Sequence, residues 1–404
     1  MFRIFGSDSI TPNSASFSLS CLYVKLRFAS STLSMVWTLR SQSGISLTNV
    51  ASLWRLHYIY YIYHLTVTVS SIIYVILITD MMQMAQHFLL SAEARTLSLK
   101  EIYKGGEERA YQTFKSIRWA VNGGEPVCHK CGCCDVYNLP KRRLFQCKAC
   151  RTQFSVTSGT IFASRKMAFV DLLGAICMFV NAVKGMSALQ FARDLCCQYK
   201  TAWVLAHKLR EALAAETAGE TLDGEVEIDG AYFGGSVRPA NRKEDRVDRR
   251  LKENKSSLRR VVVALRERAG RTLTFIRHGE DEGVQIVRDL VAADATVFAD
   301  EATHWDVLDL EFKTGRINHS ESYSDCNGKH TNWVESYFSR LRRMVGGHYH
   351  FVSHKYLYQY AAHAAWCEDH RRISNGDNAT AILTDALMHP VSRVWKGYWQ
   401  RNAA

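Results

Sequence analysis

Two sets of residues have the types and spacing that chemistry requires. The first is Cys128-His-Lys-Cys131, followed after 15 residues by Cys147-Lys-Ala-Cys150. Each Cys-x-x-Cys turn aims two sulfurs at one point, and a hairpin between the turns brings the pairs together. That is the requirement of a tetrahedral four-thiolate zinc site. Cys133 and Cys134 lie near enough for either to replace Cys131, though Cys-x-x-Cys has the better bite. The second set is acidic: Asp229 in Glu227-Ile-Asp229-Gly, Asp300 in Ala299-Asp300-Glu301, and Glu335 after 34 further residues. Carboxylate oxygens suit hard divalent ions. Two such ions, about 3.5–4 Å apart, activate an attacking oxygen and stabilise a leaving one.

Each acid alone reads as an ordinary solvated or salt-bridged carboxylate; the elements that carry them give the set its meaning. Residues 226–235 form a strand ending in a glycine-rich turn. Residues 260–266 and 272–277 form two more, joined as a hairpin through Ala269-Gly270. A helix fits 284–293, and a strand follows at 295–301 with its acid at the C-terminal end. The stretch 330–343 is a helix with an apolar row at Val334, Tyr337, Phe338, Leu341 and Val345; Asn332, Glu335, Ser339 and Arg342 lie along another face. First strand, later strand and helix are the positions that a ribonuclease-H-like sheet gathers beneath one phosphodiester. The expected fold class is therefore α/β, with a ribonuclease-H-like catalytic domain over 222–370 and a C-terminal tail at 371–404. Between its first two strands, Arg238 to Arg260 carries ten bases and four acids. It reads as a solvated loop or as a clamp on DNA backbone.

Upstream, 123–163 reads as a zinc ribbon and 85–122 as a helical lead-in. In the segment 164–216 two short amphipathic stretches follow one another, Ser187 to Cys197 and Lys200 to Leu213. The second has a buried stripe at Ala202, Leu205, Ala206, Leu209 and Leu213, with Lys200, Thr201, His207, Lys208 and Arg210 opposite. The pair is a helix-turn-helix-like candidate whose second helix enters a major groove; a plain helical hairpin is the alternative. Cys177, Cys196, Cys197, Cys326 and Cys367 read as small buried hydrophobes. A zinc site without a disulfide pattern points to a reducing compartment.

The chain has 51 Lys plus Arg against 39 Asp plus Glu, a net +12, which favours an anionic partner. With 47% hydrophobic and 22% charged residues, wholesale disorder is excluded. The first 80 residues differ, with five Lys or Arg and two acids, and no formal charge from Leu56 to Thr79. That length is enough for a membrane segment, but it starts too late for a secretory signal. The favoured expectation is an upstream extension with the start at Met81, Met82 or Met84, and no membrane partner.

The ordered motifs resemble the bacterial insertion-sequence transposases that have an N-terminal zinc ribbon and a DDE domain of the ISXO-like kind. The resemblance runs from about 125 to 370 through the two cysteine pairs, Phe154-Ser-Val-x-Ser-Gly-Thr-Ile-Phe162, Glu227 to Gly235, Ala299-Asp300-Glu301, His330 to Ser336, and Gly347 to Ser353. It implies that Cys128, Cys131, Cys147 and Cys150 hold structural zinc, and that Asp229, Asp300 and Glu335 hold two catalytic Mg²⁺ or Mn²⁺ ions. Asn332 is the other candidate for the third position. Arg342 stands where the family usually has lysine, and keeps the charge that can hold a DNA phosphate. His348 and His350 fall at a turn expected to serve structure or DNA contact. The implied activity is that of a DNA transposase, cleaving and joining element ends by hydrolysis and transesterification. The implied partners are double-stranded DNA, as terminal inverted repeats and target, and further copies of the chain. The implied location is cytoplasmic and nucleoid-associated. A catalytically retired DNA-binding regulator is the alternative, which loss of an acid would support; all three acids are present.

Overall fold

The computed structural model describes residues 87–401 apart from 218, 236–238, 249–250, 252–253, 255, 269 and 318–327. The expected N-terminal extension, the candidate starts Met81, Met82 and Met84, and Cys326 lie outside the described residues. Among the described residues no helix is long and apolar enough to cross a membrane.

The first helix, α1 (Leu99–Arg118), starts where the Ser98 hydroxyl accepts the Glu101 N–H, and it is kinked at Gly106, whose φ of 69° suits glycine. Strands β1 (Val136–Leu139), β2 (Leu144–Cys147) and β3 (Gln153–Phe154) form an antiparallel three-stranded sheet. Phe145 and Phe154 from that sheet pack under Trp119, each ring edge or tilted against its neighbour. Arg143 closes the ribbon onto α1 through Glu107 and Glu108, at 2.9 and 3.1 Å.

Three helices follow: α2 (Phe169–Asn181), α3 (Ala188–Asp194) and α4 (Tyr199–Glu216). Here the structure corrects the sequence reading. The expected stripe of α4 is buried, but so are His207 and Arg210 on the side expected to face a groove, at 0% and 2% exposure. Arg210 lies over the Tyr360 ring at 4.4 Å and donates to the Tyr349 hydroxyl. Burial pushes His207 down to about 3, so it is neutral, with Nδ1 2.6 Å from Gln359 Oε1. Helix α4 is packed by α3, α7 and α8, and its exposed residues lie at its two ends, including Lys200 and Thr201 in the first turn and Ala215 and Glu216 in the last. A stripe-and-face reading missed this because a cation over aromatic rings can be buried without a carboxylate. Of the cysteines expected to be buried, Cys177 is and Cys196 is exposed, while Cys197 and Cys367 are half-buried.

The second sheet has strands β4 (Glu225–Phe233), β5 (Arg260–Glu267), β6 (Thr272–Arg277), β7 (Thr296–Asp300) and β8 (Lys313–Ile317), in the order β6-β5-β4-β7-β8. Strands β4, β5 and β6 are antiparallel neighbours, whereas β7 runs parallel to β4 and β8 parallel to β7. Helix α5 (Gly283–Leu290) and a 3₁₀ helix (Thr303–Leu310) cover one face, through Val226, Ile228, Val261, Val263 and Leu265. Helices α6 (Asn332–Met344) and α7 (Leu357–Asp369) cover the other, through Ala231, Phe233, Val262 and Ala264. Strand β5 is a near-continuous apolar run because both of its faces are covered. This order and these directions are consistent with the ribonuclease-H-like expectation.

Residues 371–404, expected as a tail, carry α8 (Asn375–Met388) and α9 (Tyr398–Arg401). Ile382, Leu383, Ala386 and Leu387 of α8 are buried in the same core as α1, α2 and α4.

Candidate active site

The parallel pairing of β4 with β7 sets Val226 beside Val297 and Glu227 beside Phe298. Carrying that register two residues on places Asp229 level with Asp300, the last residue of β7. Their electrostatics agree. Burial pushes the Asp229 carboxyl up to about 7; Asp300 and Glu280 push it the same way, and Arg342 opposes them. The Gly230 N–H donates to Asp229 Oδ1 at 2.7 Å, and the Ala302 N–H to Asp300 Oδ1 at 3.2 Å. Two of the expected strand acids and the expected cation therefore share one locality.

Helix α6 brings Asn332, Glu335 and Arg342 along one face, at spacings of three and seven residues. Asn332 and Arg342 are exposed and Glu335 is half-buried. The Thr331 hydroxyl donates to Glu335 Oε1 at 3.3 Å. Five buried side chains, Val334, Tyr337, Phe338, Leu341 and Met344, fix the opposite side of the helix. After α6 the chain makes a π-helical turn, Val345–Tyr349, and His350 follows with φ of 56°.

Three residues at this locality escaped the sequence reading. Glu280, in the loop before α5, leans on β4: a β-carbon at Gly230 would stand 2.5 Å from its Cγ. Burial and Asp300 raise the Glu280 carboxyl, while Arg259 lowers it. His304 Nε2 is 3.8 Å from Glu280 Oε2. Glu227, two residues before Asp229 and so on the same strand face, is fully buried. Its Oε2 accepts the backbone N–H groups of Trp333 and Val334 at 2.8 and 3.0 Å, and its Oε1 meets Arg268 Nε and His330 Nδ1, each at 2.9 Å. The alternation around Asp229 carried a signal for Glu227. Nothing in the polar run His278 to Gly283 marked Glu280.

The acids fit divalent ions in one testable respect. Asp229 is half-buried beside the like charges of Asp300 and Glu280, a position that penalises its ionised form and that a bound cation would reverse. Among the described residues the tight ligand grouping is elsewhere: the sulfurs of Cys128, Cys131, Cys147 and Cys150 all lie within 4.8 Å of one another. Cys128 and Cys150 sulfurs are 3.6 Å apart, and those of Cys131 and Cys147 are 3.5 Å apart. Tetrahedral zinc at about 2.3 Å from each sulfur sets them close to 3.8 Å apart, so the cluster fits that ion. Cys133 and Cys134 sulfurs instead point to backbone oxygens of Asp135 and Gly132. Lys141 and Arg142 are exposed on the turn between β1 and β2, as are Arg242, Lys243 and Arg246 in the basic loop.

Residues 221–369 match the ISXO2-like transposase domain, and residues 105–153 match the transposase zinc-ribbon domain. The chain is also 25% identical over 254 residues to an uncharacterized protein in transposable element ISH50 of Halobacterium salinarum, covering 60% of this chain and 84% of that protein. These matches support a transposase that binds DNA, and the zinc-ribbon match together with the four-cysteine cluster supports structural zinc.

Proposed function

From the premise that this chain carries the zinc-ribbon and DDE domains of ISXO2-like insertion-sequence transposases, we propose that it cleaves the ends of its own element and joins them to target DNA. The observation that supports this best is the shared electrostatic locality of Asp229, Asp300 and Arg342 on two parallel strands and a helix. Asp229, Asp300 and Glu335 would hold two Mg²⁺ or Mn²⁺ ions. When bound, such ions activate an attacking oxygen and neutralise a leaving one. Glu335 is the preferred third ligand over Asn332, because a carboxylate is the stronger donor to a hard cation. The Arg342 guanidinium faces the same place from one helix face and would hold a DNA phosphate near it.

Water is the first nucleophile in this reading, attacking the phosphodiester at the element end; the freed 3′ hydroxyl then attacks a target phosphodiester. The zinc ribbon, held by Cys128, Cys131, Cys147 and Cys150, would grip the terminal repeats. Two ends must be held together for joining, so the working species would be a dimer or larger assembly on DNA, in the cytoplasm with the nucleoid.

The test is strand cleavage and joining on DNA carrying the element's terminal repeats, with zinc-loaded chain. Cleavage in Mg²⁺ that stops in EDTA and in Glu335→Gln supports the reading. Repeat binding with no cleavage by wild type in either ion overturns it.

A further inference from the structure

We propose that Glu227 is a positioning residue for the metal site, fixing the start of α6 on β4 so that Glu335 is set against Asp229. This rests on the reading of Asp229 and Glu335 as metal ligands.

A helix beginning at Asn332 leaves its first N–H groups without partners inside the helix. Thr331 is the residue placed to cap them, yet its side chain makes no cap bond; the hydroxyl donates to Glu335 instead. Glu227 supplies the missing acceptor from a strand 106 residues away in sequence, taking the N–H groups of Trp333 and Val334. A carboxylate there also meets the positive end of the helix dipole. The same side chain is held from behind: Arg268 donates to its Oε1 and to the His330 carbonyl at 2.9 Å each, and lies 3.9 Å over the Phe298 ring of β7. Glu227 is thus tied to β4, to the β5–β6 turn, to β7 and to α6 at once, with no surface exposed. Asp229 follows it by two residues on one strand, and Glu335 follows Val334 directly on the helix. Glu227 is therefore the link between the strand that carries Asp229 and the helix that carries Glu335, whose carboxyl accepts from the Thr331 hydroxyl.

Removing a group that holds metal ligands in place typically costs roughly 10–100-fold in metal affinity or activity. The experiment uses the zinc-loaded full chain as wild type, Glu227→Gln and Glu227→Ala. Mn²⁺ is titrated by electron paramagnetic resonance, and hydrogen exchange is followed over 332–344. Glu227→Gln keeps the shape and one acceptor oxygen but loses the charge. The expected result is an Mn²⁺ dissociation constant raised at least about tenfold in Glu227→Ala and less in Glu227→Gln, with faster exchange at the start of α6 in the same order. In the cleavage assay both variants should need more Mn²⁺ for half-maximal rate while binding repeat DNA as wild type does. A residue that only stabilises the fold would lower the melting temperature and leave that Mn²⁺ dependence unchanged. Wild-type Mn²⁺ affinity and exchange in Glu227→Gln and in folded Glu227→Ala overturn the proposal. Should Glu227→Ala fail to fold, Glu227→Gln decides alone by the same two readouts. Failure of wild type to cleave would overturn the proposed function, whereas Mn²⁺ affinity and exchange would still decide the role of Glu227.

Discussion

Glu280 rests against the backbone of Gly230 so closely that a β-carbon on Gly230 would lie 2.5 Å from its Cγ and 2.9 Å from its Oε1. The absence of a side chain on the residue after Asp229 is therefore what admits a further carboxylate beside the two strand acids. If Glu280 adds to the field that draws divalent ions, Glu280→Gln weakens Mn²⁺ binding by about tenfold. Gly230→Ala should act alike by displacing the same carboxyl. The double variant should then be no worse than either single one, since contacting residues do not act additively. Additive losses in an Mn²⁺ titration would count against this.

The Asp229 carboxyl predicts a stability change with a definite sign. Burial, with Asp300 and Glu280 adding, holds its folded value up to about 7 against an ordinary 3.8. The folded state therefore prefers the protonated form. Its stability contribution is fully present below about pH 4 and is lost as pH rises towards 7. Metal-free Asp229→Asn should melt at a higher temperature than wild type at pH 8 and at the same temperature near pH 4. Thermal melts at the two values check this; a lower melting temperature at pH 8 would contradict it.

Glu368 ties α6 to α7 and to the sheet. It accepts from Ser336 Oγ at 2.8 Å and from Arg340 Nε and Arg371 at 2.7 Å each, and buried Arg266 stands 3.6 Å away. Burial opposes its charge, but the Arg340 and Ser336 hydrogen bonds hold the carboxyl below its ordinary value. Glu368→Ala leaves Arg266 buried at 3% exposure with a weakened partner set, which should cost about 3–5 kcal/mol in denaturant unfolding. A loss under about 1 kcal/mol would show the pair to be dispensable.

The ribbon offers a separation by metal content. Cys147→Ser removes a buried sulfur of the cluster. It should drop zinc below one equivalent and loosen β1 to β3, because structural zinc contributes directly to folding. Cys133→Ser and Cys134→Ser, whose sulfurs point away from the cluster, should retain one equivalent. Mass spectrometry under native conditions reads all three; zinc loss in either of the latter would reassign the ligands.

Much of this was legible before folding. The Cys-x-x-Cys pairs and the two strand acids announce themselves because their spacing is local or because strand periodicity is 2. The strands carrying Asp229 and Asp300 and the helix carrying Glu335 fall where the pattern puts them. Strand β8 was missed because Lys313 to Ile317 is short and centred on Gly315. Helix α8 was missed because its apolar residues sit among Asn, Thr and Asp in a stretch expected to be a tail. His207 and Arg210 read as a solvent face because sequence polarity cannot show that Tyr349, Tyr360 and Gln359, more than a hundred residues later, close over them. Glu280 reaches its place only through tertiary folding.

The most direct test of the account is a change of ligand softness at Asp300. Asp300→Cys offers a thiolate, a poor donor to Mg²⁺ and a better one to Mn²⁺. If Asp300 binds a catalytic ion, this variant should lose cleavage of element-end DNA in Mg²⁺ and regain a measurable part of it in Mn²⁺, with repeat binding unchanged. Wild-type rates in Mg²⁺ would contradict the account, since Asp300 would then hold no ion in the reaction.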